Sequence, residues 1–360
     1  MYEIKNAVQE QNTQVKLKMS NLEEITPILF GGAAFQYLNA GCELGLFDLL
    51  HHTPEQSKSN IQTVLSLQSR AVDTLLLGLA SLNLIDRGKN ALYSNSIAIR
   101  TLFENDQWEI FKDVVAFEQY IVYVSQVDFV ESLKTNANIG IRHIPGNGRD
   151  LYHRLSENPM LEKVFYKYMD SWTKLTNKYL LKNIKFHDIK KVLDIGGGTG
   201  INAIAIAKEY SHLDATVLEI PASSKITQKN IDSAGLSDRV RVHAGDMFKD
   251  SFPQQHDCIL FSHQLVIWTP EENTALLKKA YDALPDNGKV IIFSSISNDD
   301  GNGPLMAALD SVYFSTLPAE GGMIYAWHQY VDWLTQCGFR HIDKINCYGW
   351  TPHGIIVATK

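Results

Sequence analysis

The spacing of apolar residues in the first part of the chain predicts helices. Thr26 and Pro27 form a good helix start, because threonine caps a helix N-terminus and proline fits the first turn. The apolar residues that follow recur at intervals of three and four, which places them on one helical face: Phe30, Ala33, Tyr37, Ala40, Leu44 and Phe47. A second, leucine-rich helix is predicted over residues 62–83.

Two short strand-like pieces around a polar, glycine-containing turn follow over residues 84–93. Two helices and then a β-ribbon are typical of a winged helix, a fold that often binds DNA. Residues 1–110, however, carry 8 basic and 12 acidic residues, and the second helix is leucine-rich rather than basic. Few groups are therefore available to neutralise phosphates, and a dimerisation module is the better prediction.

The pattern changes near residue 190, where short apolar runs begin to alternate with helical stretches. Such alternation predicts an α/β fold with a doubly wound, Rossmann-like parallel sheet. The predicted strands are Lys191–Ile195, Asp214–Glu219, Val240–His243, Cys258–Ser262 and Lys289–Ser294. Helices are predicted over Ala203–Glu209 and Ser224–Ala234. A helical, aromatic linker precedes them, so the predicted domains are 1–110, 111–185 and 186–360.

The overall composition narrows the class of protein. The 360 residues are 45% hydrophobic and 20% charged with a net charge of -7, which is globular and disfavours binding to nucleic acid. The four cysteines form no C-x-x-C pair, so neither a disulfide framework nor a cysteine zinc site is predicted. The first thirty residues show no signal-peptide core, and no apolar run would span a membrane. We therefore expect a cytoplasmic protein with a small-molecule partner.

The strongest chemical signal is the segment from Val192 to Gly200. An apolar strand ends in Asp194, enters a four-glycine turn and opens a helix. Glycine lets the backbone approach a ligand closely, and the helix N-terminus presents free N–H groups. A carboxylate in front of the glycines would repel a pyrophosphate but attract the ammonium group of an amino acid.

Two further acidic residues end the next two predicted strands. Glu219 lies where a ribose diol can be held, and Asp246 can accept a hydrogen bond from an adenine amino group while Met247 packs on the ring. Three acids at consecutive strand ends describe a cofactor with a cation, a ribose and an adenine but no phosphate. The alternative, that they are solvated loop residues, is weaker for the three together. We therefore predict S-adenosylmethionine as the cofactor.

Here the chain resembles the S-adenosylmethionine-dependent small-molecule O-methyltransferases of the caffeate, acetylserotonin and polyketide-tailoring type. Six stretches carry the resemblance: residues 40–50, the winged-helix stretch that ends in Tyr93, VLDIGGGTG at 192–200, LEIP at 218–221, GDMF at 245–248 and residues 283–289. It implies a helical N-terminal domain that forms a homodimer and a Rossmann-like methyltransferase domain. The implied cofactor-binding residues are Asp194, Gly196, Gly198, Gly200, Glu219, Asp246 and Met247, with Phe248 and Ser262 as neighbouring candidates.

The catalytic part of the family pattern is absent. Members typically have His-Asp-Trp shortly after the fourth strand, with the histidine as general base. This chain has Val266, Ile267 and Trp268 there, and Ser294 and Ile324 occupy the positions matched to two glutamates of plant members. Because valine and isoleucine cannot accept a proton, the usual proton relay is missing.

Three explanations remain open. His263 or His328 could serve as the base, or either could have only a structural role. A self-activated nucleophile, such as an acidic phenol, a carboxylate, an enolised carbon or an amine, could need no base if it is held in line. The enzyme could also have left methyl transfer while keeping the cofactor. A metal site of His263, His328 and Asp310 lacks tight ligand spacing, so no metal is predicted.

The substrate pocket is expected above the strand ends, with an apolar, aromatic wall. Such a wall suits a flat aromatic or polyketide-like molecule, although each residue by itself is as well explained by core packing. The predicted lining is Met169, Trp172, Trp268, Met306, Tyr313 and Met323. By resemblance O-methylation is the first expectation, and C- or N-methylation of a self-activated nucleophile is the alternative.

Overall fold

A computed structural model describes residues 22–148 and 150–360, apart from the side chain of Ala222. The chain divides into two compact units that meet between Val115 and Ala116. The predicted linker from residue 116 onward thus belongs to the same unit as the sheet. The expectation that the first thirty residues carry no signal peptide falls, over residues 1–21, outside the described part of the chain.

The first unit is mostly helical, with a small three-stranded sheet. Residues 22–29 are helical and lead into the first labelled helix. The elements are α1 (Gly31–Glu43), α2 (Leu46–His52), β1 (Gln56–Ser57), α3 (Lys58–Val64), α4 (Ser69–Ser81), β2 (Ile85–Arg87), β3 (Leu92–Asn95), α5 (Ile97–Glu104) and α6 (Trp108–Phe117), which crosses the boundary. The sheet order is β1-β3-β2, and both pairs are antiparallel.

The structure confirms the ribbon of the winged helix and corrects two helix predictions. The predicted start at Thr26 lies inside helical backbone, where its hydroxyl donates to the Leu22 carbonyl at 2.7 Å. The helix predicted over residues 62–83 is two helices, because the chain turns between them and Ser66 has a φ of 53°. Apolar periodicity continues through this break, since both helices bury the same core.

The second unit begins with irregular helical turns and continues into a large α/β fold. A π-helical turn covers Glu118–Val122, and 3-10 turns cover Gln126–Asp128 and Ile139–His143. The helices are α7 (Tyr123–Ser125), α8 (Phe129–Thr135), α9 (Leu151–Ser156), α10 (Pro159–Asn183), α11 (Ile201–Glu209), α12 (Pro221–Ser233), α13 (Pro270–Ala283), α14 (Leu305–Thr316) and α15 (Trp327–Cys337). The strands are β4 (Lys191–Ile195), β5 (Asp214–Glu219), β6 (Val240–Ala244), β7 (Cys258–Ser262), β8 (Lys289–Ser295), β9 (Arg340–Asn346) and β10 (His353–Thr359).

The seven strands of this unit form one sheet in the order β6-β5-β4-β7-β8-β10-β9. The first five are parallel, and β10 and β9 add an antiparallel edge. This confirms the α/β class and the five predicted strands, while the antiparallel pair was not predicted. The order reverses between β4 and β7, so a crevice opens at their carboxyl ends, where open α/β sheets bind ligands.

Helices cover both faces of the sheet, and two separate apolar cores result. One contains Leu193, Phe261 and Leu277, and the other contains Val192, Ile206 and Leu260. Neighbouring residues of β4 belong to opposite cores because side chains alternate along a strand. No helix among the described residues is long and apolar enough to cross a membrane.

Candidate functional site

The glycine turn after β4 is built so that its backbone lies very close to the strand ends. Gly196, Gly198 and Gly200 have φ values of 61°, 57° and 82°, which glycine adopts without strain. The Gly196 N–H donates to the Leu218 carbonyl at 2.8 Å, and the Gln264 amide donates to the Gly196 carbonyl at 2.8 Å. The turn is thus tied to β5 on one side and to the segment after β7 on the other.

Asp194, in β4 directly below the turn, is a buried carboxylate without a partner. It is fully buried, and neither oxygen has a hydrogen-bond partner among the described residues. Burial, and then the charge of Glu219, raises the pKa of Asp194 to about 7. An added Cβ at Gly197 would lie 2.6 Å from the Asp194 Oδ2, so only a glycine leaves this space open. A buried unpaired carboxylate of this kind is costly unless a ligand supplies the missing donors.

Glu219 ends β5 and faces the same turn. Its two oxygens accept hydrogen bonds from the N–H groups of Gly198 and Ile220, at 2.8 and 2.9 Å. Burial raises the pKa of this carboxyl group, although the two N–H donors oppose that shift. Its charge also contributes to raising the pKa of Tyr152, after burial and Asp150.

The loop after β6 supplies the third acidic residue. Asp246 accepts a hydrogen bond from the Phe248 N–H at 2.9 Å and forms an ion pair with Lys249 at 3.0 Å. The Met247 carbonyl accepts from the Lys279 ammonium at 2.6 Å. The Phe248 ring packs edge-on against Trp268 with centroids 4.8 Å apart. This loop is therefore anchored, and it presents apolar surface next to Trp268.

The arrangement fits S-adenosylmethionine by the chemistry of its donors and acceptors. The buried carboxylate of Asp194 lacks a cation or N–H donor, and Gly197 keeps open the space beside it. Glu219 and Asp246 follow at the ends of the two neighbouring strands, as the sequence predicted. Ser262, at the end of β7, accepts a hydrogen bond from the Asn202 amide at 2.9 Å, which joins α11 to β7.

Val266 and Ile267, which the sequence analysis matched to the histidine and aspartate of the resembling family, are buried in an apolar cluster. Val266 and Ile267 are 2% and 7% exposed, and they pack with Ala307 and Ile324. The half-buried residues against this cluster are Tyr152, Trp268, Phe314 and Ala319. The indole N–H of Trp268 is buried without a hydrogen-bond partner among the described residues.

His263 follows β7 and lies beside a second histidine that sequence analysis did not single out. The His263 Nδ1 is 3.4 Å from the His353 Nε2, and its Nε2 is 3.5 Å from the Thr176 hydroxyl. Burial lowers the pKa of His263 to about 4, and burial and His263 lower the pKa of His353 as well. Both imidazoles are therefore neutral at pH 7.

His328 lies elsewhere, at the exposed start of α15. Its backbone N–H donates to the Asp299 carboxylate at 2.7 Å, and its Nδ1 is 3.1 Å from the same oxygen. His263, His328 and Asp310, the residues considered as metal ligands, have different neighbours in the structure. The described residues contain no group of three or more His, Cys, Asp and Glu that could hold a metal ion.

The predicted substrate walls fall into two aromatic groups. Tyr313 and Met169 belong to a cluster with Phe117, Phe165 and Tyr168. Trp172 contacts Trp350 and His353, with ring centroids 6.1 and 5.9 Å apart.

The remaining predicted wall residues are less buried. Met306 is half-buried on α14, and Met323 is 42% exposed in the segment before α15. The structure therefore places Tyr313 and Met169 together, and it places Trp268 in the neighbouring cluster of Val266 and Ile267.

Sequence analysis did not single out Tyr152 or Glu118 near the first aromatic cluster, and it considered Asp310 only as a metal ligand. Tyr152 and Tyr168 belong to this cluster, and the half-buried Glu118 and Asp310 lie close enough to raise the pKa of Tyr168. A signal was present, because Asp310 is the only charged residue of the apolar helix α14 and Glu118 interrupts an apolar run. Buried charges on apolar faces are uncommon and point to a function.

Known proteins match this chain over most of its length. The family model of the O-methyltransferase domain matches residues 128–340, and that of the O-methyltransferase dimerisation domain matches residues 27–105. The L-tyrosine C(3)-methyltransferase of Streptomyces lavendulae is 52% identical over 342 residues, which covers 94% of this chain and 93% of that protein.

Solved structures show the same architecture. The crystal structure of the S-adenosylmethionine-dependent methyltransferase SibL in its apo form is 45% identical, with a TM-score of 0.84, and covers 94% of this chain and 99% of that one. The structure of PigF with SAH is 23% identical, with a TM-score of 0.81 and the same coverage, and it shares the fold.

Proposed function

We propose that this chain, which belongs to the O-methyltransferase family, methylates a ring carbon ortho to the hydroxyl group of L-tyrosine or a closely related phenolic amino acid. The chain is an S-adenosylmethionine-dependent methyltransferase, and when bound this cofactor supplies an electrophilic methyl group on a sulfonium. The acceptor atom is the part that we propose.

One observation carries the proposal: the 52% identity, over 94% of this chain, to an L-tyrosine C(3)-methyltransferase. Val266 and Ile267 support it, because they stand where O-methylating members typically have the histidine and aspartate that activate a hydroxyl oxygen. The carbon ortho to a phenol oxygen becomes nucleophilic when the phenol ionises. Because Val266 cannot accept the phenol proton, another group has to bring about this ionisation.

The residues of the glycine turn and of the strand ends have binding roles in this proposal. Asp194 accepts N–H donors of the cofactor, Glu219 holds the ribose, and Asp246 with Met247 holds the adenine. Trp268 and the Val266 cluster present an apolar wall that excludes water from the transferring methyl group. The reaction then depends on orientation, since an in-line attack needs the ring carbon at near-attack distance.

The decisive experiment uses L-tyrosine deuterated at both ring positions ortho to the hydroxyl, together with S-adenosylmethionine and the purified protein. C-methylation adds one methyl group and loses one ring deuterium, which mass spectrometry detects. O- or N-methylation adds the methyl group and keeps both deuterium atoms, so either result would contradict the proposal. No mass gain with S-adenosylmethionine bound would contradict L-tyrosine as the substrate.

We also propose that the chain acts as a homodimer through its first unit. Matching the dimerisation-domain model over residues 27–105 supports this, and so does the apolar surface of the leading helix. Leu22, Ile25, Ile28 and Leu29 are between 54% and 80% exposed. Contiguous exposed apolar surface of this kind typically marks a protein interface.

A further inference from the structure

Two carboxylates of the second unit, Glu118 and Asp310, lack any partner that would stabilise their charge. Both are half-buried. Neither side chain forms a hydrogen bond or ion pair with another residue in the described part of the chain. Burial raises the pKa of each to about 7, and the charge of Asp310 contributes to the shift at Glu118. Because two neighbouring carboxylates repel each other where water is scarce, one of the two carboxyl groups tends to stay protonated.

The helix that carries Asp310 connects it to the apolar cluster of Val266 and Ile267. Ala307 and Phe314 lie one turn before and one turn after Asp310 on α14, at the spacing of one helical face. Both residues pack in the cluster of Val266 and Ile267. The Asp310 side chain thus leaves α14 on the face turned toward the segment where the family places its base.

Three tyrosines surround the carboxylates and connect them with the cofactor residues. Tyr313 is only 8% exposed, and its hydroxyl forms no hydrogen bond with another described residue. After burial, the charges of Asp310 and Glu118 raise the pKa of Tyr168, and they contribute to the raised pKa of Tyr313 as well. Tyr152 packs against the cluster of Phe117 and Tyr313 and also against the apolar cluster of Val266 and Ile267. The charge of Glu219 contributes to the raised pKa of Tyr152.

From this arrangement we infer that Asp310 is the general base of the reaction, and that Glu118, the second carboxylate without a partner, is a positioning residue. The inference rests on the proposed function. The unpartnered hydroxyl of Tyr313 and the aromatic walls suit a phenol ring, whose hydroxyl group would face the carboxylate. Asp310 replaces from α14 the proton acceptor that Val266 cannot provide.

The proposed step balances in atoms and charge. The phenol O–H bond breaks and its proton moves to a carboxylate oxygen of Asp310. The ortho carbon forms a bond with the methyl carbon, and the methyl–sulfur bond breaks with its electron pair going to sulfur. The ring carbon then loses its hydrogen as a proton to solvent, which restores the aromatic ring as a phenolate. The phenolate finally takes back the proton from Asp310.

Among the residues that the structure describes, no cation contributes to the pKa of Glu118 or of Asp310. The charges of both carboxylates contribute to the raised pKa of Tyr168 on α10 and of Tyr313 on α14. On the turns packed against α14, Asp128 pairs with Arg142 and His143. Proton acceptance by Asp310 therefore requires the ionised carboxylate, and we expect kcat to rise with pH through about 7.

The test compares Asp310→Asn with the wild type, using Asp332→Asn, an exposed carboxylate on α15, as the matched control. We expect Asp310→Asn to lower kcat for C-methylation of L-tyrosine at least about 100-fold with KM nearly unchanged. The loss should shrink at high pH and with 3-fluoro-L-tyrosine, because a more acidic phenol ionises without help. Glu118→Gln should move the acid limb of the kcat profile to lower pH.

A wild-type rate and pH profile in Asp310→Asn would overturn the inference. An increase in KM for L-tyrosine with unchanged kcat would also overturn it, if KM for 3-(4-hydroxyphenyl)propanoate, which lacks the ammonium group, did not change. That result would mean that the two carboxylates bind the substrate ammonium group. If the wild type methylates no phenol, the proposed function fails instead.

A second measurement does not depend on turnover. The protein binds 3-nitro-L-tyrosine and S-adenosylhomocysteine together, and the visible absorbance of the nitrophenol reports its ionisation as the pH is changed. Asp310→Asn should lower its ionisation pH by about one unit or more, because a repelling carboxylate is removed. An unchanged ionisation pH would overturn the inference.

Discussion

At the scale of single residues, the main support for the proposed cofactor site is that the buried carboxylate of Asp194 has no hydrogen-bond partner among the described residues. We expect Asp194→Asn to weaken S-adenosylmethionine binding by about 1.5–3 kcal/mol, because a charged hydrogen-bond acceptor is lost. Isothermal titration calorimetry of the variant and of Asp332→Asn measures the change. Equal affinity of Asp194→Asn and the wild type would place the cofactor elsewhere.

His263 leads to a prediction on stability rather than on catalysis. Its folded-state pKa of about 4 lies below the ordinary value of 6.5, so the unfolded chain binds more protons between these values. The free energy of unfolding should therefore fall as the pH is lowered from about 6.5 to about 4, by up to about 3 kcal/mol from this residue.

The variant His263→Asn should flatten that part of the stability curve, measured by urea unfolding at several pH values. Asparagine tolerates the left-handed backbone of this position, where φ is 56°. His341→Asn is the matched control, because His341 is exposed and has a φ of 48°. Turnover of His263→Asn should stay within about 10-fold of the wild type, and a loss of 100-fold or more would make His263 the base.

Residue identities could be predicted where a local motif specifies them. Asp194, Glu219 and Asp246 were predicted as a set because each lies in or shortly after a strand that its apolar sequence makes predictable. His353 and Glu118 could not be found in this way, since their neighbours come from distant segments. His353 is 90 residues from His263, and Glu118 is 192 residues from Asp310.

At the scale of elements, the turn between β4 and α11 depends on a close approach that only glycine permits. An added Cβ at Gly197 would lie 2.6 Å from Asp194 Oδ2 and 2.8 Å from Val217 Cγ1. We expect Gly197→Ala to lower the free energy of unfolding by about 1–3 kcal/mol and to weaken cofactor binding.

Thermal unfolding with and without S-adenosylmethionine measures both effects. Gly31→Ala is the control, because an added Cβ there meets no atom within 4 Å. If Gly197→Ala were as stable as the control and bound the cofactor normally, the close packing of this turn would not be needed.

The inner strands of the parallel sheet, β4, β5, β7 and β8, could be predicted because they are mostly buried, which gives short apolar runs. β4, β5 and β7 have the predicted bounds. β9 is different: its exposed edge carries Arg340, His341, Asp343 and Lys344, so its pattern does not read as a buried strand. The break between α3 and α4 was missed because both helices bury one core.

At the scale of the whole molecule, family membership fixes the fold and the cofactor but not the acceptor atom. The resemblance favoured oxygen, whereas the 52% identical relative is named for methylation at carbon. The same scaffold can serve both chemistries, because function depends on the side chains of the site rather than on the fold. In our proposals these side chains lie at the strand ends and on α14. Specificity therefore has to be tested at those residues.

The oligomeric state gives the last prediction. We expect the double variant Ile28→Ser, Leu29→Ser to shift the protein from dimer toward monomer, because both side chains are more than 70% exposed in the described chain and would be buried by a partner subunit. Sedimentation velocity over a concentration series measures the change. Tyr348→Ser, at a 91% exposed site of the second unit, is the control. An unchanged dimer would place the interface on another surface, and a monomeric wild type would contradict the homodimer itself.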